Sequence, residues 1–259
     1  MTETDLLRAI AGLTVGGLIG LSGAGGGALM TPLLVFFFGD AAGVAKVSGL
    51  IFSCLARGAG AAMHVRLGTV CWRVVFLLAL GSVPGVVLAR RLPWPATSIV
   101  LLSGLLGLAL IAAGLRAVIV PRVMRSLSSG ADPGLRLPVL TVLGGVVIGV
   151  FAASPVPGTG VLGLCVLRTL YPRTLRPVEL VGTDLALAAP LTVLAGSGML
   201  SLAPWHALMW LLAGGLPGVI AGSLLSRWLP AARLRWLLGL LMLAAGGLAV
   251  SAMFAMLAI

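Results

Sequence analysis

Between Ser98 and Leu115 the chain reads SIVLLSGLLGLALIAAGL, eighteen residues without one ionisable side chain. As a helix this run would measure ~27 Å, close to the ~30 Å hydrocarbon thickness of a bilayer. Apolar runs recur along almost the whole sequence, at 6–22, 26–38, 44–63, 72–89, 96–119, 139–155, 158–171, 178–199, 205–226 and 235–257. With 60% hydrophobic and 9% charged residues over 259 positions, the chain is expected to be an all-α polytopic membrane protein. An outer-membrane barrel is excluded, because its strands would need a recurring alternation of apolar and polar residues.

A net charge of +11 would suggest nucleic acid in a soluble protein, but here the charges sit mainly between the apolar runs. The partner they imply is the lipid bilayer, with no nucleic acid. Alternate connections give one face Arg66, Arg73, Arg116, Arg122, Arg125, Arg136, Arg168, Arg173, Arg176, Arg227, Arg233 and Arg235; the other receives Arg8, Lys46, Arg90 and Arg91. By the positive-inside rule the first face is cytoplasmic, which puts both termini on the extracytoplasmic side of the inner (cytoplasmic) membrane. The acidic start MTETDLLRAI has no positive n-region and no cleavage site follows, so it reads as the start of the mature chain. Cys54, Cys71 and Cys165 lack CxxC spacing and are odd in number, so they read as packing residues and not as a metal site.

One run is interrupted. In GLIGLSGAGGGALMTPLLVFFFG, Ser22, Gly23, Gly25, Gly26 and Gly27 fall where a helix would otherwise continue, and each glycine costs about 1 kcal/mol relative to alanine in a helix interior. Broken backbone at membrane depth is tolerated only where it is buried in protein or lines a polar cavity. The sequence then repeats itself. An offset of 133 pairs Gly25 with Gly158, Gly27 with Gly160, Gly49 with Gly182, Trp72 with Trp205, Gly81 with Gly214, Pro84 with Pro217 and Gly85 with Gly218. GSVPGVV returns as GGLPGVI, and VGGLIG as LGGVVIG once four extra residues are allowed in the second copy.

The duplication predicts a first repeat over 1–120, a cytoplasmic linker over 121–138 and a second repeat over 139–259. Each half holds about five helical segments, two short ones around the break and three of spanning length. An odd number of crossings per half makes the repeats inverted in topology, whether the short pair is re-entrant or crosses twice. Inverted repeats with broken segments in matching positions point to a secondary transporter whose broken helices meet near the midplane. SGAGGG opening 26–38 and SPVPGTG (Ser154 to Gly160) opening 158–171 would aim two helix N-termini at one anion. Glycines that only permit tight helix crossings are the plainer alternative.

The ordered set of motifs resembles the sulfite exporter TauE/SafE family, also called the toluene sulfonate uptake permease family, over nearly the whole chain. The first half carries GLSGAGGG (Gly20 to Gly27), KVSGL (Lys46 to Leu50), His64, LGTVCW (Leu67 to Trp72) and GSVPGVVLARRL (Gly81 to Leu92). The second carries LVGTDLA (Leu180 to Ala186), similar to the family's glycine-threonine-serine signature, and GGLPGVIAGSLL (Gly214 to Leu225). Two places depart from the pattern. FAASPVPGTG (Phe151 to Gly160) has prolines and a threonine in place of a second glycine triplet, and Asp184 stands where a small hydroxyl residue is usual. The resemblance implies movement of small sulfur-containing anions such as sulfite, thiosulfate or organosulfonates by a permease, in either direction, with no cofactor and no catalytic residue. The oligomeric state is not implied.

The expected substrate site comprises Ser22, Gly23, Gly25, Gly26, Gly27, Ser48, Gly49, Arg57, Pro157, Gly158, Thr159, Gly160, Gly182, Thr183 and Asp184. Arg57 and Asp184 are expected at similar depth; they form either an anion ligand and its neighbour or a structural ion pair, and Asp184 is also a candidate proton-coupling carboxylate. The hydroxyls of Ser22, Ser48, Ser53, Thr159 and Thr183 could bind sulfonate oxygens or their own helix backbone. Lys46, Glu179, His64 and His206 fall near segment ends and are expected at the interface, with Trp72, Trp205 and Trp228 as interface anchors. An anion channel of the same fold is one alternative. Another is a rhomboid-like intramembrane serine protease, suggested by GLSG (Gly20 to Gly23) and requiring His64 or His206 as base. GAGGGALMT lacks the Lys–Ser/Thr ending of a nucleotide-binding loop, which argues against ATP-driven transport.

Overall fold

The computed structural model describes residues 3–23, 26–119, 136–154, 161–171, 174–196 and 204–257. Ten helices follow one another with no strand among the described residues: α1 (Glu3–Ser22), α2 (Gly26–Phe38), α3 (Ala42–Arg66), α4 (Trp72–Arg91), α5 (Ala96–Ile119), α6 (Arg136–Ala153), α7 (Leu162–Leu170), α8 (Pro177–Gly196), α9 (Trp205–Trp228) and α10 (Ala231–Leu257). Seven of them, α1, α3, α4, α5, α8, α9 and α10, contain a stretch long and apolar enough to cross a bilayer. Their outer surfaces carry Phe76, Leu80, Leu101, Leu105, Met209 and Trp228, all exposed, and α2 adds Phe36 and Phe37. Such a belt is stable only against lipid.

Most of the extensive helix pairings run between the two halves of the chain: α1 packs on α9, α6 on α4, α5 on α10 and α3 on α8. Exchanging each helix for its counterpart five places on maps the first pairing onto the second, and α2 on α3 onto α7 on α8. The residues obey the same exchange. A side chain at Gly12 would strike the Leu211 carbonyl and one at Gly16 the Gly215 carbonyl; at Gly145 and Gly149 it would strike those of Leu78 and Ser82. Gly214 and Gly218 abut the carbonyls of Ala9 and Leu13, as Gly81 and Gly85 abut those of Val142 and Val146. Each set maps onto the other by the plain offset of 133. The four-residue insertion expected in the second copy is therefore not needed: Gly12 and Gly16 correspond to Gly145 and Gly149, and VGGLIG aligns elsewhere than on LGGVVIG. The GSVPGVV and GGLPGVI phrases are crossing points, where small residues let backbones approach and dispersion contacts accumulate.

The first two helices of each half run antiparallel as a hairpin. Arg8 on α1 bonds Asp40, just beyond α2, at 3.1 Å and lies 5.4 Å from the centroid of the Phe38 ring. That ties the start of α1 to the end of α2, so the two run antiparallel. In the second half Thr141 on α6 and the Tyr171 hydroxyl after α7 are 2.7 Å apart. Thr141 and Tyr171 are the counterparts of Arg8 and Phe38 at the same offset. Two hairpins are thus closed at equivalent places by different chemistry.

Candidate functional site

The tip of the first hairpin turns at Gly23, whose φ of +68° lies in the left-handed region that costs an L side chain roughly 1–2 kcal/mol. A Cβ there would lie 3.4 Å from Oδ2 of Asp184. At the second hairpin, a Cβ on Gly163 would collide with Oδ1 of the same carboxylate. Asp184, on α8 and only 2% exposed, therefore reaches from one tip to the other. Gly163 is the second residue of α7, so the carboxylate lies over the first turn of that helix, where backbone N–H groups lack intrahelical acceptors and carry partial positive charge. Oδ2 of Asp184 has no hydrogen-bond partner among the described residues.

Arg57, 7% exposed, is a buried cation on α3, the helix that packs against α8 and Asp184. The guanidinium Nη1 donates to Thr192 Oγ1 at 3.4 Å, and no ion pair within 4 Å joins the two charges. Register explains the separation. Gly182 abuts His64, Gly60 abuts Leu185, and Arg57 reaches Thr192, so α3 and α8 run antiparallel. The residue opposite Asp184 is then near 61, about one turn or ~6 Å along the axis from Arg57. The expected similarity of depth is met only to within that turn.

A second polar junction lies beside the first tip. His64 is fully buried, with Nε2 3.3 Å from the Gly20 carbonyl oxygen and Nδ1 2.8 Å from Thr69 Oγ1. A carbonyl can only accept, so Nε2 carries the hydrogen there. Thr69 Oγ1 can also donate to the His64 carbonyl at 3.1 Å, and Thr183 Oγ1 accepts from the Cys71 backbone N–H at 3.1 Å. His64 is not interfacial as expected: the end of α1 and the Gly182 backbone cover it. Glu179 stands at a segment end as expected, in the first turn of α8, where its carboxylate accepts from the Arg176 N–H at 2.8 Å and, with Pro177 as first residue, caps the helix. His206 is exposed near Asp5, at 4.0 Å, and Lys46, Trp72, Trp205 and Trp228 are exposed.

The remaining expected residues distribute as follows. Ser22 is buried and its hydroxyl donates to the Leu18 carbonyl at 2.5 Å, within its own helix. Ser48 is buried with no hydrogen-bond partner for Oγ among the described residues, and Gly49 beside it faces Thr31 of α2. Gly26 and Gly27 open α2. Gly25, Pro157, Gly158, Thr159 and Gly160 lie outside the described residues. Gly23, Thr183, Asp184 and Arg57 are thus gathered at the α3–α8 contact. The expectations omitted Gly163, whose counterpart at the offset is Met30, and gave His64 no part in the site. Their only sequence signals were a glycine at the start of a short apolar run and a histidine just before LGTVCW. For a Ser–His nucleophile the geometry is wrong: both His64 ring nitrogens are engaged by Thr69 and Gly20, while His206 is on the exposed start of α9.

Seven helices long and apolar enough to cross a bilayer, with a lipid-facing apolar surface, make this a multi-pass membrane protein. Residues 8–249 match the family model described as "Sulfite exporter TauE/SafE". The chain belongs to that family. It is also 31% identical over 227 residues to a Bacillus subtilis (strain 168) protein named "Probable membrane transporter protein YjnA", an alignment covering 84% of this chain and 88% of the relative. No solved structure gives a significant match.

Proposed function

We propose that this protein is a secondary permease that moves small sulfur-containing anions, such as sulfite, thiosulfate or organosulfonates, across the cytoplasmic membrane by alternating access. The single observation that carries the reading is the convergence of Gly23 and Gly163, one from each hairpin, on Asp184 with Arg57 close by. Broken helices from two repeats meeting at a buried charged site is the arrangement in which secondary transporters bind their cargo. The family description supplies the sulfur-oxyanion class, and the guanidinium of Arg57 is suited to a forked oxyanion. The first turns of α2 and α7, with Ser48, Thr183 and the segments holding Gly25 and Pro157–Gly160, would line the same space. The halves over 1–120 and 139–259 are inverted repeats joined by a cytoplasmic linker over 121–138, a reading supported by the self-inverse exchange of helix contacts and by the arginine asymmetry.

The test is thermal stabilisation of the purified protein against a panel of anions. A ligand at 100 times its Kd adds about 2.7 kcal/mol. Sulfur oxyanions should raise the melting temperature of the parent and fail to do so for Arg57→Gln. Stabilisation by cations or neutral solutes alone would overturn the reading.

A further inference from the structure

We infer that Asp184 and the transported anion compete for one negative-charge position, so that the anion binds together with a proton on Asp184. This rests on the reading of the site as an anion site and narrows it to monovalent anions, such as sulfonates or hydrogen sulfite, carried with one proton. The carboxylate lies over the first turn of α7, with Oδ1 against Gly163, and reaches Gly23 at the other tip. A ligand anion drawn to those tips meets a resident one.

The charges that face the carboxylate are few. From α3 come Arg57, with Cys54 beside Arg57, and His64, which packs on Gly182 and spends its ring nitrogens on the Gly20 carbonyl and Thr69; α7 brings Gly163 at the contact, and its Arg168 feels Arg235 and Cys165 instead. From α4, Arg90 bonds the Leu194 carbonyl, well along α8 from Asp184. Of these cations, Arg57 is the one that the α3–α8 register places within about one turn of Asp184. With the site empty, Arg57 and an ionised Asp184 sum to zero; with a monovalent anion bound, the sum returns to zero only if Asp184 takes up a proton. Uncompensated charge at membrane depth is costly, so both neutral states are favoured over the state with anion and carboxylate both charged, which carries one net negative charge.

The oxygen that would receive the proton is identifiable. Oδ2 is buried and has no hydrogen-bond partner among the described residues. Protonated, it becomes a donor in need of an acceptor, which an oxygen of the bound anion supplies. The step balances as carboxylate plus aqueous proton plus anion giving a neutral carboxyl hydrogen-bonded to the anion, and release reverses it. A dianion would leave the loaded site one negative charge in excess and is disfavoured.

The experiment is isothermal titration of methanesulfonate, whose charge is fixed, into the purified full-length protein in buffers of different ionisation enthalpy between about pH 5 and 9. Where Asp184 is ionised, the parent should take up about one proton per anion and its affinity should fall about tenfold per pH unit. Asp184→Asn should bind methanesulfonate without proton uptake and with a flat pH profile, and thiosulfate should bind the parent more weakly than methanesulfonate. Binding by the parent without proton uptake at any pH would overturn the inference. So would a folded Asp184→Asn protein that still takes up a proton, or one that no longer binds. If no sulfur anion binds the parent, the transport reading itself fails. Infrared difference spectra of parent minus Asp184→Asn across the same pH range, which need no ligand, then still test the carboxyl, and a carboxylate that never protonates counts against it.

Discussion

Replacing Gly163 by alanine should change sign depending on what stands at position 184. In the parent, the added Cβ lands on Oδ1 of Asp184, a side chain 2% exposed with little room to withdraw. Overpacking of this kind costs about 1–3 kcal/mol. Gly163 is not among the glycines with positive φ, so alanine fits the α7 backbone and contributes up to about 1 kcal/mol of helix propensity. The net effect in the parent is a loss of roughly 0–3 kcal/mol. In an Asp184→Ala background the collision partner is gone, and the same substitution should stabilise by up to about 1 kcal/mol. The coupling is therefore about 1–3 kcal/mol, in the range seen for residues in contact. Equilibrium unfolding of all four proteins in mixed micelles measures it, and the cost of losing the Asp184 charge cancels in the cycle. An equal effect of Gly163→Ala in both backgrounds would refute the placement of Asp184 over α7.

Gly16→Val and Gly149→Val, at equivalent crossings, should each lower stability by about 1–3 kcal/mol, because each Cβ meets a backbone carbonyl that cannot move alone; thermal unfolding in detergent checks that the two losses agree. His64→Ala removes the ring that meets the Gly20 carbonyl and Thr69 Oγ1, leaving Thr69 only its bond to the residue-64 carbonyl, and should cost about 1–3 kcal/mol, whereas His206→Ala, on an exposed side chain, should cost less than about 0.5 kcal/mol in the same assay. Ser128→Cys on a cysteine-free background should label only from the cytoplasmic side with an impermeant reagent, and labelling from outside alone would remove the inverted-repeat proposal.

Much of the architecture was legible in the sequence because membranes restrict it. Ten apolar runs became ten helices, and the glycine break after Ser22 became a hairpin tip, since lipid leaves a broken backbone few alternatives. What could not be read was partnership. GSVPGVV announces a close helix crossing but not that Gly81 meets α6, nor that α1 crosses to α9 in the other half; those pairings depend on the three-dimensional exchange between repeats. His64 looked interfacial because it stands in the last turn of α3, and only the fold of α1 and α8 over that turn buries it. Arg57 and Asp184 were visible as the charges most out of place, yet the one-turn stagger between them follows from the α3–α8 register, which no local pattern encodes.

Counterflow in proteoliposomes tests most directly the central claim, an alternating-access carrier whose anion site lies between the two hairpin tips. Vesicles loaded with unlabelled methanesulfonate are diluted into a trace of labelled methanesulfonate, and internal label is followed over time. The account predicts that label rises transiently above the external concentration and then decays, and that Arg57→Gln abolishes the rise. Label that only equilibrates, as through a channel, or that fails to enter at all, would contradict it.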